Sequence, residues 1–249
     1  MAKLKGILKI EGTLDELTFY KTQDGHLVKT KGGVSADRIA NDPNFQRTRE
    51  NGSEFGSSAT AGKVLRNAVR NLMMNASDNR VTSRLTQVMT LIKNYDVASA
   101  RGERTVGDGI ADPAALALLK NFDFNDKAIL SGVLFAPFIV TPVTGEISIP
   151  AFVPLNDIAY PGGATHVNMK AAYANVDFVN GVSAIEYSPV TNLPIDGTNT
   201  PVSLVPAAVP AGAGTKFYLL LLEFFQEVNG IQYPLKNGAY NVLNIVEAA

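Results

Sequence analysis

The sequence predicts an α+β fold: an N-terminal β-hairpin and antiparallel helical pair followed by a C-terminal antiparallel β-sandwich. Three observations predict it. The run Phe217-Tyr-Leu-Leu-Leu-Leu-Glu-Phe-Phe225 is apolar on both alternating faces as far as Glu223, so a strand here needs cover on two sides. Asp24-Gly25 stands between two apolar runs, a strong hairpin signal. Phe55, Ala59, Gly62, Leu65, Val69 and Leu72 recur every three or four residues, as one face of a helix does.

The elements follow in chain order. Residues 5–31 read as a small antiparallel unit, in which Ile7, Leu8 and Ile10 are interleaved with Lys9 and Glu11. Asp42-Pro43 supplies an N-cap and a first helical residue. The helix it starts is expected to reach about Met74, with Asn51-Gly52 a point of interruption. Glycines in the small-residue stretch 56–62 weaken an isolated helix, so tertiary packing must hold it. Ser77-Asp78 is expected to cap a second helix running to about Tyr95, with Val81, Leu85, Val88 and Ile92 on one face. Residues 101–112 are polar and glycine-rich, and Asp112-Pro113 starts a short helix to about Lys120. From Ala128 onward prolines punctuate short apolar runs. Strands are expected at 129–141, 146–153, 165–178, 182–188, 201–206, 216–228, 231–235 and 239–247, with Asn-Gly turns at 180–181, 229–230 and 237–238. This divides the chain into a hairpin and helical region (1–104), a linker with a short helix (105–127) and a sandwich (128–249).

Composition narrows the function. The absence of Cys excludes disulfides, thiolate metal sites and cysteine nucleophiles. His26 and His166 are the only histidines. His26 reads as a loop residue beside its turn, and His166 as a buried or edge histidine with a backbone partner. No Gly-x-Ser-x-Gly elbow occurs, and Gly212-Ala-Gly-Thr-Lys216 lacks the order of a phosphate loop. Asp108, Asp112, Asp123, Asp126 and Asp196 read as turn formers, since none fits calcium-loop spacing. No enzyme activity, cofactor or metal is therefore expected. No apolar run is long enough to span a membrane, and the basic N-terminus lacks the apolar core of a signal peptide. Synthesis in the cytoplasm without a secretory leader is expected, with a final place in a particle or extracellular assembly left open.

Charge is unevenly spread. Residues 1–104 carry 17 Lys/Arg against 11 Asp/Glu, whereas residues 105–249 carry 5 against 12. This polarity suits head-to-tail contact between unlike surfaces of successive copies. Lys3, Lys5 and Lys9 on the hairpin and Lys63, Arg66 and Arg70 on the first helix are the candidate basic contacts. Arg80 and Arg84 add to them on the second helix, and Leu220 and Leu222 are candidate apolar contacts.

The opening region, Gly6-Ile-Leu-Lys-Ile-Glu-Gly-Thr-Leu-Asp-Glu-Leu-Thr-Phe-Tyr20 through Asp24-Gly25, then Arg47-Thr-Arg49 and Glu54-Phe55-Gly56, resembles an uncharacterised bacterial family. That family pairs an N-terminal hairpin and helix with a β-rich C-terminal part. The resemblance covers about the first 70 residues. It implies a bacterial or bacteriophage setting and carries no activity or site residue. The expected function is a self-assembling structural subunit of a filament, tube or shell, a homo-oligomer built on heterologous contacts. Two alternatives stay open: a ligand- or cell-surface-binding sandwich, and nucleic-acid association through the basic N-terminal region.

Overall fold

The computed structural model describes residues 6, 10–30, 32–235 and 238–249, and the backbone of residues 2 and 3. Its contacts form two compact units, Met1–Arg49 and Glu50–Ala249. In the first, β1 (Ala2–Lys3), β2 (Gly12–Leu14), β3 (Leu17–Thr22) and β4 (Gly25–Thr30) make an antiparallel sheet in the order β1-β4-β3-β2. The Asp24-Gly25 turn lies where expected: Gly25 has φ 108°, and the Thr22 hydroxyl accepts the Asp24 N–H. The helix α1 (Ala36–Asn41), capped by Ser35, and a 3₁₀ turn at Pro43–Phe45, capped by Asp42, complete the unit.

The first long helix, α2 (Gln46–Ala68), passes Asn51-Gly52 without a break. It stops instead at Val69, whose ψ of 14° leaves the helical range, and α3 (Arg70–Met73) follows. The next helix, α4 (Val81–Ile92), begins later than Ser77-Asp78 suggests, because Asp78 is engaged elsewhere. Its carboxylate accepts the Arg80 and Asp126 N–H groups and pairs with Arg84. A 3₁₀ turn at Lys93–Tyr95 ends this helix. After α5 (Val106–Gly109), α6 (Pro113–Ala117) starts at the expected Asp112 cap.

The sheet region comprises β5 (Phe122–Asp123), α7 (Leu130–Val133), β6 (Ile139–Thr141), β7 (Glu146–Ile149), α8 (Pro154–Asp157), β8 (His166–Asp177), β9 (Val182–Tyr187), β10 (Thr191–Pro194), β11 (Val202–Leu204), β12 (Thr215–Val228), β13 (Ile231–Pro234) and β14 (Val242–Ala248). The strand expected over 129–141 is a helical turn followed by a shorter strand. β10 is an addition to the expected set. Asn229-Gly230 turns as foreseen, with φ 52° and 78°. Asn237 lies outside the described residues.

One large antiparallel sheet runs β10-β8-β12-β14-β5, with β9 also pairing with β8 and β13 with β12. A smaller sheet, β11-β7-β6, lies apart in pairing. The large sheet is covered on both faces within the chain. Phe217, Leu219 and Leu221 of β12 join Leu65, Leu72, Leu85, Met89 and Ile92 of the helices in one core. Tyr218, Leu220, Leu222 and Phe224 join Ile147, Ile149, Val202 and Leu204 of the smaller sheet in a second. The two-sided apolar pattern is thus met by helices on one side and strands on the other. Each of these buried side chains gains roughly 1.5–3 kcal/mol by leaving water.

Candidate interaction surfaces

The sequence-predicted contact residues differ in where the structure places them. Lys5 and Lys9 lie outside the described residues. Lys3 is placed only by its backbone, opposite Leu27 in β4. Lys63 and Arg70 are exposed and Arg66 is half-buried, so the basic stripe does reach the surface of the helices. Leu220 and Leu222 are corrections to the expected set. Both are fully buried in the core beneath β7 and β11 and have no surface to offer another molecule. Arg84 is likewise occupied within the chain. It pairs with Asp78, donates to the Asp123 carbonyl at 2.8 Å and lies 5.2 Å from the centre of the Phe122 ring.

One face of the four-stranded sheet carries an apolar cluster, bordered by Thr30 at one end and by Lys21 and His26 at the other. Strand alternation and register put Leu14 opposite Leu17, and Phe19 opposite Val28, on that face. The other face carries Thr13 and Thr18, whose hydroxyls are 3.3 Å apart, Lys29 over the Tyr20 ring, and Leu27 opposite Tyr20. An antiparallel sheet of this kind ordinarily packs its apolar face on a core. Among the described residues of this unit none is buried; Leu14 is 63% exposed and Leu17 41%. The turn joining β2 and β3 is Asp15-Glu16, acidic and exposed, with Asp15 at φ 49°.

A second surface is a groove of about 680 Å³ between α2 and α4. The two helices run antiparallel: Glu54 pairs with Lys93 at one end, and Gly62 approaches Leu85 and Met89 further along. Phe55 and Ala59 line one wall; Thr82, Thr86, Thr90 and Leu91 line the other. The hydroxyls of Thr86 and Thr90 donate to the carbonyls of Thr82 and Thr86, both at 2.8 Å. These hydrogen bonds satisfy the polar atoms locally, so a run that reads as polar in sequence presents largely apolar surface. That local satisfaction is why the groove is hard to foresee; the spacing of threonines by four is its only sequence signal. Phe55 remains 58% exposed and Leu91 47%. Further along α2, Arg66 folds back so that its Nη1 lies near Gly62, and this atom is buried without a hydrogen-bond partner. Burial lowers the Arg66 pKa, the cost of holding a guanidinium away from water.

The third surface is the polar end of the large sheet. Thr165 Oγ1 lies 2.9 Å from His166 Nδ1, and His166 Nε2 lies 3.6 Å from Glu227 Oε2. The grouping of hydroxyl, imidazole and carboxylate resembles a nucleophilic triad in composition, and its hydroxyl also ties two strands together. Thr165 Oγ1 accepts the Glu227 N–H at 2.7 Å and lies 3.4 Å from the Phe225 carbonyl, fastening the start of β8 to β12. The hydroxyl is thereby engaged by the backbone it bridges. The expected backbone partner of His166 is replaced by these two side chains. Asp177 lies at the opposite end of β8 and accepts from Val179 and Asn180. Beside the histidine, Asn192 and Gln232 exchange amide hydrogen bonds at 2.8 and 3.2 Å, and Asn192 also donates to Asn168.

Other charged groups stabilise loops. Glu54 is buried, paired with Lys93 and accepts the Gly102 N–H; the Lys93 bond, followed by that N–H, holds its pKa below the usual range. Asp108, Asp112 and Asp196 accept hydrogen bonds from residues within a few positions of themselves, as turn formers do. Among the described residues no three His, Asp or Glu side chains are grouped to hold a metal ion, and no helix is long and apolar enough to cross a membrane. Compared with protein-family models, curated proteins and solved structures, the chain matches none.

Proposed function

We propose that this protein is a self-associating structural subunit of a bacterial or phage-derived assembly, and that its N-terminal sheet makes the contact. The observation that carries this reading is an apolar cluster on one sheet face, Leu14, Leu17, Phe19 and Val28, and no buried residue among those described in its unit. A small sheet needs a packed face to be stable. A further copy of the chain offers one. A contact between unlike surfaces repeats into a ring or a filament.

Sedimentation velocity over a dilution series tests the proposal. The wild-type chain is expected to associate with rising concentration, and Leu17→Asp with Phe19→Asp to weaken association by at least about tenfold, equivalent to about 1.4 kcal/mol. Electron microscopy of the concentrated protein then gives the form of the assembly. A wild-type chain that stays monomeric at every concentration and ionic strength overturns the proposal and favours the ligand-binding sandwich.

A further inference from the structure

We infer that the groove between α2 and α4 receives the Leu14-Asp15-Glu16-Leu17 turn of a second copy. This rests on the self-association proposed above and names the acceptor surface for it.

The two surfaces match in chemistry and in order. The groove is apolar at its Phe55 and Leu91 end, where both side chains are about half exposed. The turn presents Leu14 and Leu17, a cross-strand pair on one face of their sheet. Moving along α2 from Phe55 and Ala59, the next residues on that side of the helix are Lys63 and Arg66. No acidic residue lines the groove. The turn supplies two carboxylates, Asp15 and Glu16, between its leucines. Lys63, exposed beside the groove, is the cation open to such a group, and Arg66 is half-buried further along the helix. A charge-assisted hydrogen bond strengthens as water is excluded, so the apolar contact and the charged contact reinforce each other. The hydroxyls of Thr86 and Thr90 already bond to their own helix, so burying this wall leaves them satisfied.

The contact is heterologous, which allows a complementation test with full-length protein. One variant reverses the turn (Asp15→Lys, Glu16→Lys) and another the acceptor (Lys63→Glu, Arg66→Glu). Each alone is expected to sediment as a smaller species. An equimolar mixture is expected to recover association, because each reversed turn then meets an acceptor of opposite sign. Leu91→Asp changes a half-exposed groove residue and keeps the test valid if Arg66→Glu disturbs folding. It is expected to weaken association at least about tenfold with unchanged circular dichroism, as burial of a new charge in an apolar contact does. If Leu17→Asp with Phe19→Asp abolishes association but Leu91→Asp leaves it intact, the acceptor is another surface. The groove assignment then falls while the self-association reading stands. Failure of the mixture to recover, with both reversed variants folded, also overturns the assignment. A monomeric wild-type chain overturns both readings.

Discussion

Glu223 interrupts the apolar run of β12, and its surroundings make it a probe of the fold. It is half-buried on the sheet face that carries Phe217, Leu219 and Leu221. Burial raises its pKa above the usual glutamate value, with Lys170 and the Asn75 side chain offsetting part of the rise. The sign follows from linkage: a carboxyl with a raised folded-state pKa favours the fold when protonated, and that contribution is lost as pH rises through the folded-state value. Glu223→Gln removes the loss. The variant is expected to melt higher than wild type at pH 7 and to differ little at a pH well below 4.5, the ordinary value for the group. Thermal unfolding at both pH values checks this; a variant that melts lower at pH 7 contradicts the account.

At the scale of elements, β12 was the most legible part of the chain. Seven large apolar side chains alternating to both faces demand two covers, and the helices and the β11-β7-β6 sheet provide them. What the pattern could not tell is which cover belongs to the same chain, so Leu220 and Leu222 read as contact residues although they are internal. Val69 hid the end of α2, because an apolar residue in phase with the helix carries no stop signal. β10 carries no sequence signal for another reason: its four residues, Thr-Asn-Leu-Pro, hold one buried side chain, Leu193, too few for a periodic pattern. The basic stripe was legible and the groove beside it was not, since threonines become apolar surface only once the helix satisfies their hydroxyls. Leu219→Asp tests the placement of β12. Leu219 is fully buried among the helices, and its two cross-strand neighbours, Ala172 and Ile245, are apolar, so a carboxylate there meets no polar partner across the sheet. The expected loss is about 4 kcal/mol or more, read as insoluble protein or loss of the cooperative denaturant transition.

At the scale of the whole molecule, the division at Arg49 and Glu50 separates two kinds of organisation. The first unit has amphipathic strands and no buried side chain among its described residues; the second holds both hydrophobic cores. The sharing of strands by those two cores has a thermodynamic consequence. β8, β12 and β14 each send alternate side chains into both, as Ala172 and Tyr173, Leu219 and Leu220, and Val242 and Leu243 show. Releasing one core would pull the same backbone away from the other, so no intermediate keeps one layer intact while the opposite layer melts. Residues 50–249 are therefore expected to unfold in a single all-or-none step despite having two cores. Scanning calorimetry on an assembly-deficient variant should give equal calorimetric and van't Hoff enthalpies for the main transition. Two resolved heat-absorption peaks from this region would mean that the cores melt independently.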